Sequence, residues 1–339
     1  MYRAKLTPET QEAAIKEIKD AFQYALASRL RLRRVTAPLF VLSGSGVNDD
    51  LNGEQTAVSF AVRSLAGARA EIVHSLAKWK RMKLAEYHIA AGYGLYTDMN
   101  AIRADEITDA MHSLYVDQWD WERTISKEER SVDFLKSIVR DIYAAITQVE
   151  QAVWRVHAHI TPELPPEITF IHAQELSDRY PNLTAKEREN MVAEEFGAVF
   201  IIGIGAKLAS GEPHEARAAD YDDYTSIDPA TGLAGLNGDI IVWNRVLGCA
   251  FELSSMGVRV DGATLEMQLR ERGEWEAKRS LSYHRELLLD RLPLSIGGGI
   301  GQSRLCMYYL RAAHIGEVQS SLWSTAQRRE CAEQGIFLK

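Results

Sequence analysis

The sequence predicts an α+β fold, a largely antiparallel β-sheet flanked by helices. Three observations carry this. Extended stretches follow one another directly, as in residues 94–103 then 113–122, and 238–243 then 250–260. Parallel neighbours would need a long crossover between them, usually a helix. Residues 198–204 are almost continuously apolar, as in a central strand covered on both faces. Two long amphipathic stretches, one from Thr7 and one from about Glu128, supply helices to cover such a sheet.

Taken in order, Thr7-Pro8-Glu9 is a helix start, a capping hydroxyl followed by proline in the first turn. Ile15, Ile18, Phe22, Ala25 and Leu26 keep helical spacing towards an end at 30–32. Residues 35–41 follow as an extended strand; Pro38 has no N–H to give, so the strand belongs on an edge or at an interface. Residues 71–75 read as a short strand and 77–86 as a helix rich in Lys and Arg. The strand at 94–103 turns at Ala104-Asp105-Glu106, and 113–122 forms the next strand. A long helix spans about 128–158 on Phe134, Leu135, Ile138, Ile142, Ala145, Ile146, Val149 and Val153, before Pro162, Pro165 and Pro166 break the chain.

Residues 168–171 form a strand, and Thr184-Ala185-Lys186-Glu187 is a capping box opening a helix. After the central strand come strands at 238–243 and 250–260, then helices at about 263–272 and 276–290. A glycine run leads into a last helix, and residues 327–339 carry no interpretable signal. No repeat or low-complexity linker divides the chain, so 1–339 is read as one domain.

Of the 339 residues, 46% are hydrophobic and 25% charged, enough for a large core. A net charge of −8 argues against a nucleic-acid-coating protein. Cys249, Cys306 and Cys331 are odd in number and lack metal-type spacing, so no disulfide framework is expected. The N-terminus has no apolar signal core, and no apolar run approaches the roughly 18 residues needed to span a bilayer. The expectation is a cytoplasmic protein with no membrane and no nucleic-acid partner.

The chemistry concentrates in a few places. Gly297-Gly298-Gly299-Ile300-Gly301-Gln302-Ser303-Arg304 reads as a glycine-rich strand entering a helix with arginine in its first turn. Close backbone approach, a helix N-terminus and a guanidinium all suit a nucleotide, although a plain turn and helix start would give the same pattern. It is neither a three-glycine dinucleotide fingerprint nor a Walker loop. On the strand at 114–122, Gln118, Asp120 and Glu122 share one face and Trp119 and Trp121 the other. That polar face is either solvated or a substrate platform, with Asp120 for an ammonium and Gln118 for a carboxylate or phosphate oxygen. Asp220-Tyr221-Asp222-Asp223 is a dense acidic turn after Arg217. Asp239 and Glu252 sit among apolar residues on adjacent strands; such carboxylates need partners, and Mg²⁺ with phosphates is one solution. Val73-His74-Ser75-Leu76-Ala77-Lys78-Trp79-Lys80-Arg81 opens a helix with basic residues one turn in.

Together these segments resemble the ammonia-dependent asparagine synthetase (aspartate–ammonia ligase) family, whose fold is like the catalytic core of class II aminoacyl-tRNA synthetases. The resemblance rests on VHSLAKWKR (73–81), GLYT (94–97), YVDQWDWE (115–122), DYDD (220–223), GLNGD (235–239), FELSSMG (251–257) and IGGGIGQSRL (296–305), in one order along nearly the whole chain. Two departures flank the acidic turn: no proline precedes Asp220, and Tyr224 stands where tryptophan is expected.

The resemblance implies that L-aspartate, ammonia and ATP give L-asparagine, AMP and pyrophosphate through a β-aspartyl-adenylate. It assigns Ser75, Lys80, Gln118 and Asp120 to aspartate and Asp49 to ammonium, as base or as electrostatic anchor. Arg103 goes to the α-phosphate, and Arg304 to the adenine ring or the γ-phosphate side. Arg217, Tyr221, Asp222, Ser255 and Gly299 would seat the nucleotide. Asp239 and Glu252 would hold Mg²⁺. Asp49, Arg103, Gln118 and Arg304 are the catalytic candidates. A homodimer is implied, with Pro38 at the interface. With no glutaminase-type N-terminal cysteine and no room for an anticodon-binding domain of roughly a hundred residues, free ammonia is the expected nitrogen source. The alternatives are a tRNA synthetase or tRNA-dependent modifier, and a regulatory subunit without chemistry.

Overall fold

The computed structural model describes residues 2–49 and 56–339. The chain opens with α1 (Pro8–Leu30), capped by the Thr7 hydroxyl and ended by Arg31 in the left-handed region. Then come β1 (Leu32–Arg34), β2 (Phe40–Leu42), β3 (Ser59–Val62), β4 (Ala68–Ile72), α2 (Ala77–Glu86), β5 (Gly94–Ile102) and β6 (Tyr115–Thr124). The middle of the chain is α3 (Val132–Val156), β7 (Thr169–His172), α4 (Ala173–Arg179), α5 (Ala185–Phe196), β8 (Ala198–Ile202), β9 (Asn237–Asn244) and β10 (Cys249–Val258). It closes with α6 (Gly262–Glu271), α7 (Trp275–Lys278), α8 (Ser282–Leu288), β11 (Ser295–Gly301), α9 (Gln302–Tyr309) and α10 (Thr325–Gln334).

Among the described residues an eight-stranded sheet runs β1-β5-β6-β11-β10-β9-β8-β7. Its inner pairings are antiparallel, and only the two edge pairs, β1–β5 and β7–β8, are parallel. A small antiparallel sheet, β2-β4-β3, stands apart from it. The α+β expectation therefore holds. α1 and α3 cover one face of the large sheet through Phe22, Leu26, Ile138, Ile142 and Ile146, all 2% exposed or less. Trp119 and Trp121 point into that core, and the Trp119 ring lies 4.6 Å from Phe22. The opposite face of β6 is thereby left to Gln118, Asp120 and Glu122. No helix among the described residues is long and apolar enough to cross a membrane.

Several boundaries differ from expectation. The strand placed at 35–41 is mostly loop: Val35 still donates to Tyr96 O in line with β1, pairing then stops, and only Phe40 and Val41 join β2. Pro38 is half-buried in that connection rather than in a strand. The strand expected at 71–75 lies upstream as β4, and Ser75 falls in the turn before α2. The helix placed at 276–290 breaks into α7 and α8 at Leu281, whose backbone is extended. The segment without signal contains α10, opened by a Ser324–Gln327 capping box and closed by Gly335. The Thr184–Glu187 capping box opens α5 as expected.

Candidate active site

The polar face of β6 floors a cleft of about 280 Å³. The glycines of β11 make that floor possible. Asp120 is registered against Gly299 and Glu122 against Gly297. A Cβ at Gly299 would overlap Gln118 Oε1, and one at Gly297 would overlap Glu122 Oε2. Neither glycine has a positive φ, so they are required for side-chain clearance within the sheet and not for an unusual backbone. Gly298 and Gly299 also line the cleft, and Gly299 and Gly301 the chamber beside it. At the start of α9, Asp117 accepts from Ser303 N at 3.0 Å and Ser303 Oγ at 2.9 Å.

The cleft is lined by Asp49, Ser75, Lys80, Gln118 and Asp120. Ser75 Oγ donates to Asp49 Oδ2 at 2.9 Å. Lys80 is 1% exposed; its Nζ donates to Trp121 O at 3.0 Å and Gly298 O at 3.2 Å and lies 3.3 Å from Asp120 Oδ2. Burial pushes its pKa down, against the pull of Asp120 and Glu122. Asp120 Oδ2 also accepts from Leu76 N at 3.2 Å, so its carboxylate is fixed from two sides.

The same cleft holds Arg103, Arg217, Tyr221, Asp222, Glu252, Ser255 and Gly299. Arg103 follows the end of β5. Its Nε is buried without a protein partner, and its nearest carboxylate, Glu106, is 4.0 Å away. Arg217 Nη2 meets both oxygens of Asp239 at 2.5 Å and Ser255 Oγ at 3.0 Å. Glu252, Arg103, Gln118 and Gly299 also border a second chamber of about 470 Å³, and Arg304 lies there. Arg304 Nη1 donates to Glu252 O at 3.1 Å, lies 3.6 Å from its carboxylate, and its guanidinium sits 5.9 Å from the Phe251 ring centre.

The two metal candidates are not equivalent. Glu252 faces both chambers, whereas Asp239 is buried beneath Arg217. Burial, with the Glu252 and Glu215 carboxylates beside it, pushes Asp239 up to about 7 despite Arg217. Against its own burial, Arg304 and Arg217 hold Glu252 below the usual carboxylate range. Asp239 already has Arg217 on both oxygens, so Glu252 is the carboxylate open to the chambers, and a hard oxygen donor there is what Mg²⁺ takes together with phosphates.

The acidic turn is not an exposed loop. Asp220, Asp222 and Asp223 are 1% exposed or less, and each has its own cation: Lys78, Arg259 and Arg130. Arg259 lines the cleft and was not among the sequence candidates. It donates to Glu122 through Nε at 3.0 Å and Nη2 at 2.9 Å and reaches Asp222 through Nη1. The only sequence hint of this partner was Glu122, an acid on the platform face with no assigned substrate. Lys186 and Glu215, which border the second chamber, were also missed.

Residues 9–335 match the family described as aspartate-ammonia ligase. The chain is 57% identical over 337 residues to an aspartate–ammonia ligase of Bacteroides thetaiotaomicron, covering 99% of this chain and 97% of that one. It is 56% identical over 339 residues to the enzyme of that name from Parabacteroides distasonis. The chain belongs to the aspartate–ammonia ligase family. Its fold is shared more widely. An asparaginyl-tRNA synthetase from Pyrococcus horikoshii, solved with asparaginyl-adenylate, superposes with a TM-score of 0.67 at 16% identity, covering 91% of this chain and 68% of that one. The corresponding synthetase of Entamoeba histolytica gives 0.65 at 13%, covering 92% of this chain and 66% of that one. The ligase family thus uses the class II synthetase catalytic-core fold, and the cleft lies on the β6–β11 platform of that core.

Proposed function

We propose that this chain makes L-asparagine from L-aspartate, ammonia and ATP, releasing AMP and pyrophosphate through a β-aspartyl-adenylate. The observation that carries the reading is the meeting of two chemistries across β6 and β11. Asp49, Ser75, Lys80 and Asp120 line one cleft with Arg103 and Arg217, and Arg103, Gln118 and Glu252 join that cleft to the chamber of Arg304.

In the first step a β-carboxylate oxygen of aspartate attacks the α-phosphorus of ATP, and the bond to pyrophosphate breaks. Asp120 takes the substrate ammonium, while Lys80, Ser75 and Gln118 take carboxylate oxygens. Arg103, with a buried N–H free of protein partners, donates to the α-phosphate as charge builds there. Arg304 lies beyond Glu252 in the chamber suited to the rest of the nucleotide, where a guanidinium can stack or pair with phosphate. Arg217, Tyr221, Asp222, Ser255 and Gly299 line the cleft with Arg103, where they would seat the nucleotide. Glu252, which faces both chambers, would hold Mg²⁺ entering with ATP, joined by Asp239 if Arg217 turns to the nucleotide; bound there, the ion would supply positive charge to the leaving phosphates. In the second step ammonia attacks the β-carbonyl carbon and AMP leaves. Asp49 draws ammonium, and a carboxylate that recruits this cation also stands where its proton is released.

We further infer that the 1–339 unit acts as one catalytic domain, as a homodimer, in the cytoplasm. Its three cysteines are free, and apolar side chains at Leu39, Phe40, Leu42 and Phe60 are 39–51% exposed around the small sheet. Light scattering near twice 38.0 kDa would support the dimer, and the monomer mass would exclude it. The function is tested by incubating the chain with ATP, Mg²⁺, L-aspartate and ammonium chloride, with glutamine replacing ammonium in a control. Asparagine and AMP formed together, with ammonium only, is the expected result. ADP in place of AMP, or AMP without asparagine, would overturn it.

A further inference from the structure

Asp49 reaches the cleft from an irregular segment, residues 43–49, and the neighbouring Asn48 uses every hydrogen-bonding position of its amide. Oδ1 accepts from the backbone N–H of Asp49 and of His74, both at 2.9 Å. Nδ2 donates to Glu71 Oε2 at 3.1 Å and to Ile72 O at 3.3 Å. A carboxamide has two acceptor positions and two N–H bonds, so this one is fully engaged. Its partners lie on two separate pieces of chain, Asp49 itself and the exit of β4.

Neighbouring contacts hold the same segment. His74 Nδ1 bonds Asp49 O at 3.0 Å, and since a carbonyl only accepts, the ring donates through Nδ1. Further back, Ser282 Oγ donates to Ser45 O at 2.7 Å. Gly46, at φ +74, lies against Leu281 with no room for a Cβ. The segment is therefore pinned behind by α8 and in front by Asn48. The Asn48 side chain is only partly buried, so packing of apolar surface does not explain an amide placed this way.

We propose that Asn48 is a positioning residue for Asp49: it clamps the 43–49 segment to the end of β4 and so fixes the carboxylate that draws ammonium. The inference rests on the reading of Asp49 given above. Asn48 touches no substrate in this account; it acts through the backbone of its neighbour. Loosening the clamp affects the second step, because forming the adenylate needs only aspartate and ATP.

The test measures two things in parallel, the KM for ammonium and ATP–pyrophosphate exchange in the absence of ammonium, on Asn48→Ala, Asn48→Asp and Asp49→Asn. Asn48→Asp keeps the acceptor for Asp49 N and His74 N but loses both donors and sets a like charge beside Glu71. The expected result is a rise in ammonium KM on the order of tenfold for both Asn48 variants, as misplacement of a reacting group gives. Exchange should stay within about twofold, marking a defect confined to the second step. Partial recovery of the ammonium KM in Asn48→Asp/Glu71→Gln, where the new amide can donate back, would support the clamp directly.

An unchanged ammonium KM in both Asn48 variants, while Asp49→Asn raises it, would overturn the inference and leave the role of Asp49 standing. An unchanged ammonium KM in Asp49→Asn would overturn the role of Asp49, and the inference with it. Exchange falling in step with ammonium use would mean a merely structural residue, which also overturns the proposal. Should Asn48→Ala fail to fold, Asn48→Asp carries the test.

Discussion

Gly299→Ala isolates the reason for the glycine run. Gly299 has no positive φ, so alanine meets no backbone penalty there. The added Cβ would sit 2.8 Å from Asp120 Oδ1, where 3.4 Å is ordinary contact, and would overlap Gln118 Oε1 outright. Asp120 would have to move by about 0.6 Å, the difference between those values, and Gln118 by more. Asp120, held by Leu76 N and Lys80, has to give by that amount, and Gln118 is displaced further, into the cleft. Displacement of a positioning group by about 1 Å costs on the order of 10²-fold in rate, equivalent to ~2.7 kcal/mol in the barrier. Because the displaced amide has open space to enter, the stability loss should lie at the low end of the roughly 1–3 kcal/mol typical of overpacking. Steady-state kcat/KM for aspartate and thermal unfolding separate the two effects. A variant with unaltered kcat/KM would refute the claim that glycine is there to clear Gln118 and Asp120.

Arg103→Ala should lower ATP–pyrophosphate exchange on the order of 10²–10³-fold. Its unfolding temperature should barely move, since the guanidinium's nearest carboxylate is 4.0 Å away; near-normal exchange in the folded variant would exclude Arg103 from the first step. Lys80→Met strips a buried partner from Asp120 and should destabilise the chain by about 3–5 kcal/mol in denaturant unfolding, as breaking a buried pair does. A loss below about 1 kcal/mol would mean the pair is not mutually dependent. Asp239 is held up at about 7, so between an ordinary aspartate pKa of roughly 3.9 and that value the folded chain keeps a proton the unfolded chain has lost. Its contribution to stability therefore falls as pH rises through that window, and Asp239→Asn should flatten the decline in denaturant titrations. Parallel pH profiles for the two proteins would exclude this carboxylate as the source.

The floor of the site was legible because it lies on one regular element, β6. Strand alternation alone separated Gln118, Asp120 and Glu122 from Trp119 and Trp121, and the structure keeps that division. Side chains two apart on a strand must share a face. Helix caps were equally local: Thr7, Thr184 and Glu187 act through backbone N–H groups within three residues of themselves. The resemblance of VHSLAKWKR, DYDD and IGGGIGQSRL to the ligase family supplied candidates whose residues are now found around adjoining chambers.

What stayed hidden needed distant chain to converge. Arg259 follows an apolar strand and could as well have faced solvent; its partners are 137 and 37 residues away. The acidic turn gave no local sign of its cations, which come from α2, from just before α3 and from just after β10. The glycine run was read through its own local chemistry, a helix start, and its clearance of the β6 side chains could not be seen there. Nothing in residues 297–301 says that Gln118, Asp120 and Glu122 will lie alongside. By itself the sequence determined most strands of the large sheet, the long helices α1 and α3, the faces of β6 and the family, since periodicity and capping are local and family segments are linear. Tertiary structure alone decided which charges pair, which glycines make room and how Asn48 holds Asp49, because those depend on register and packing between segments far apart in the chain.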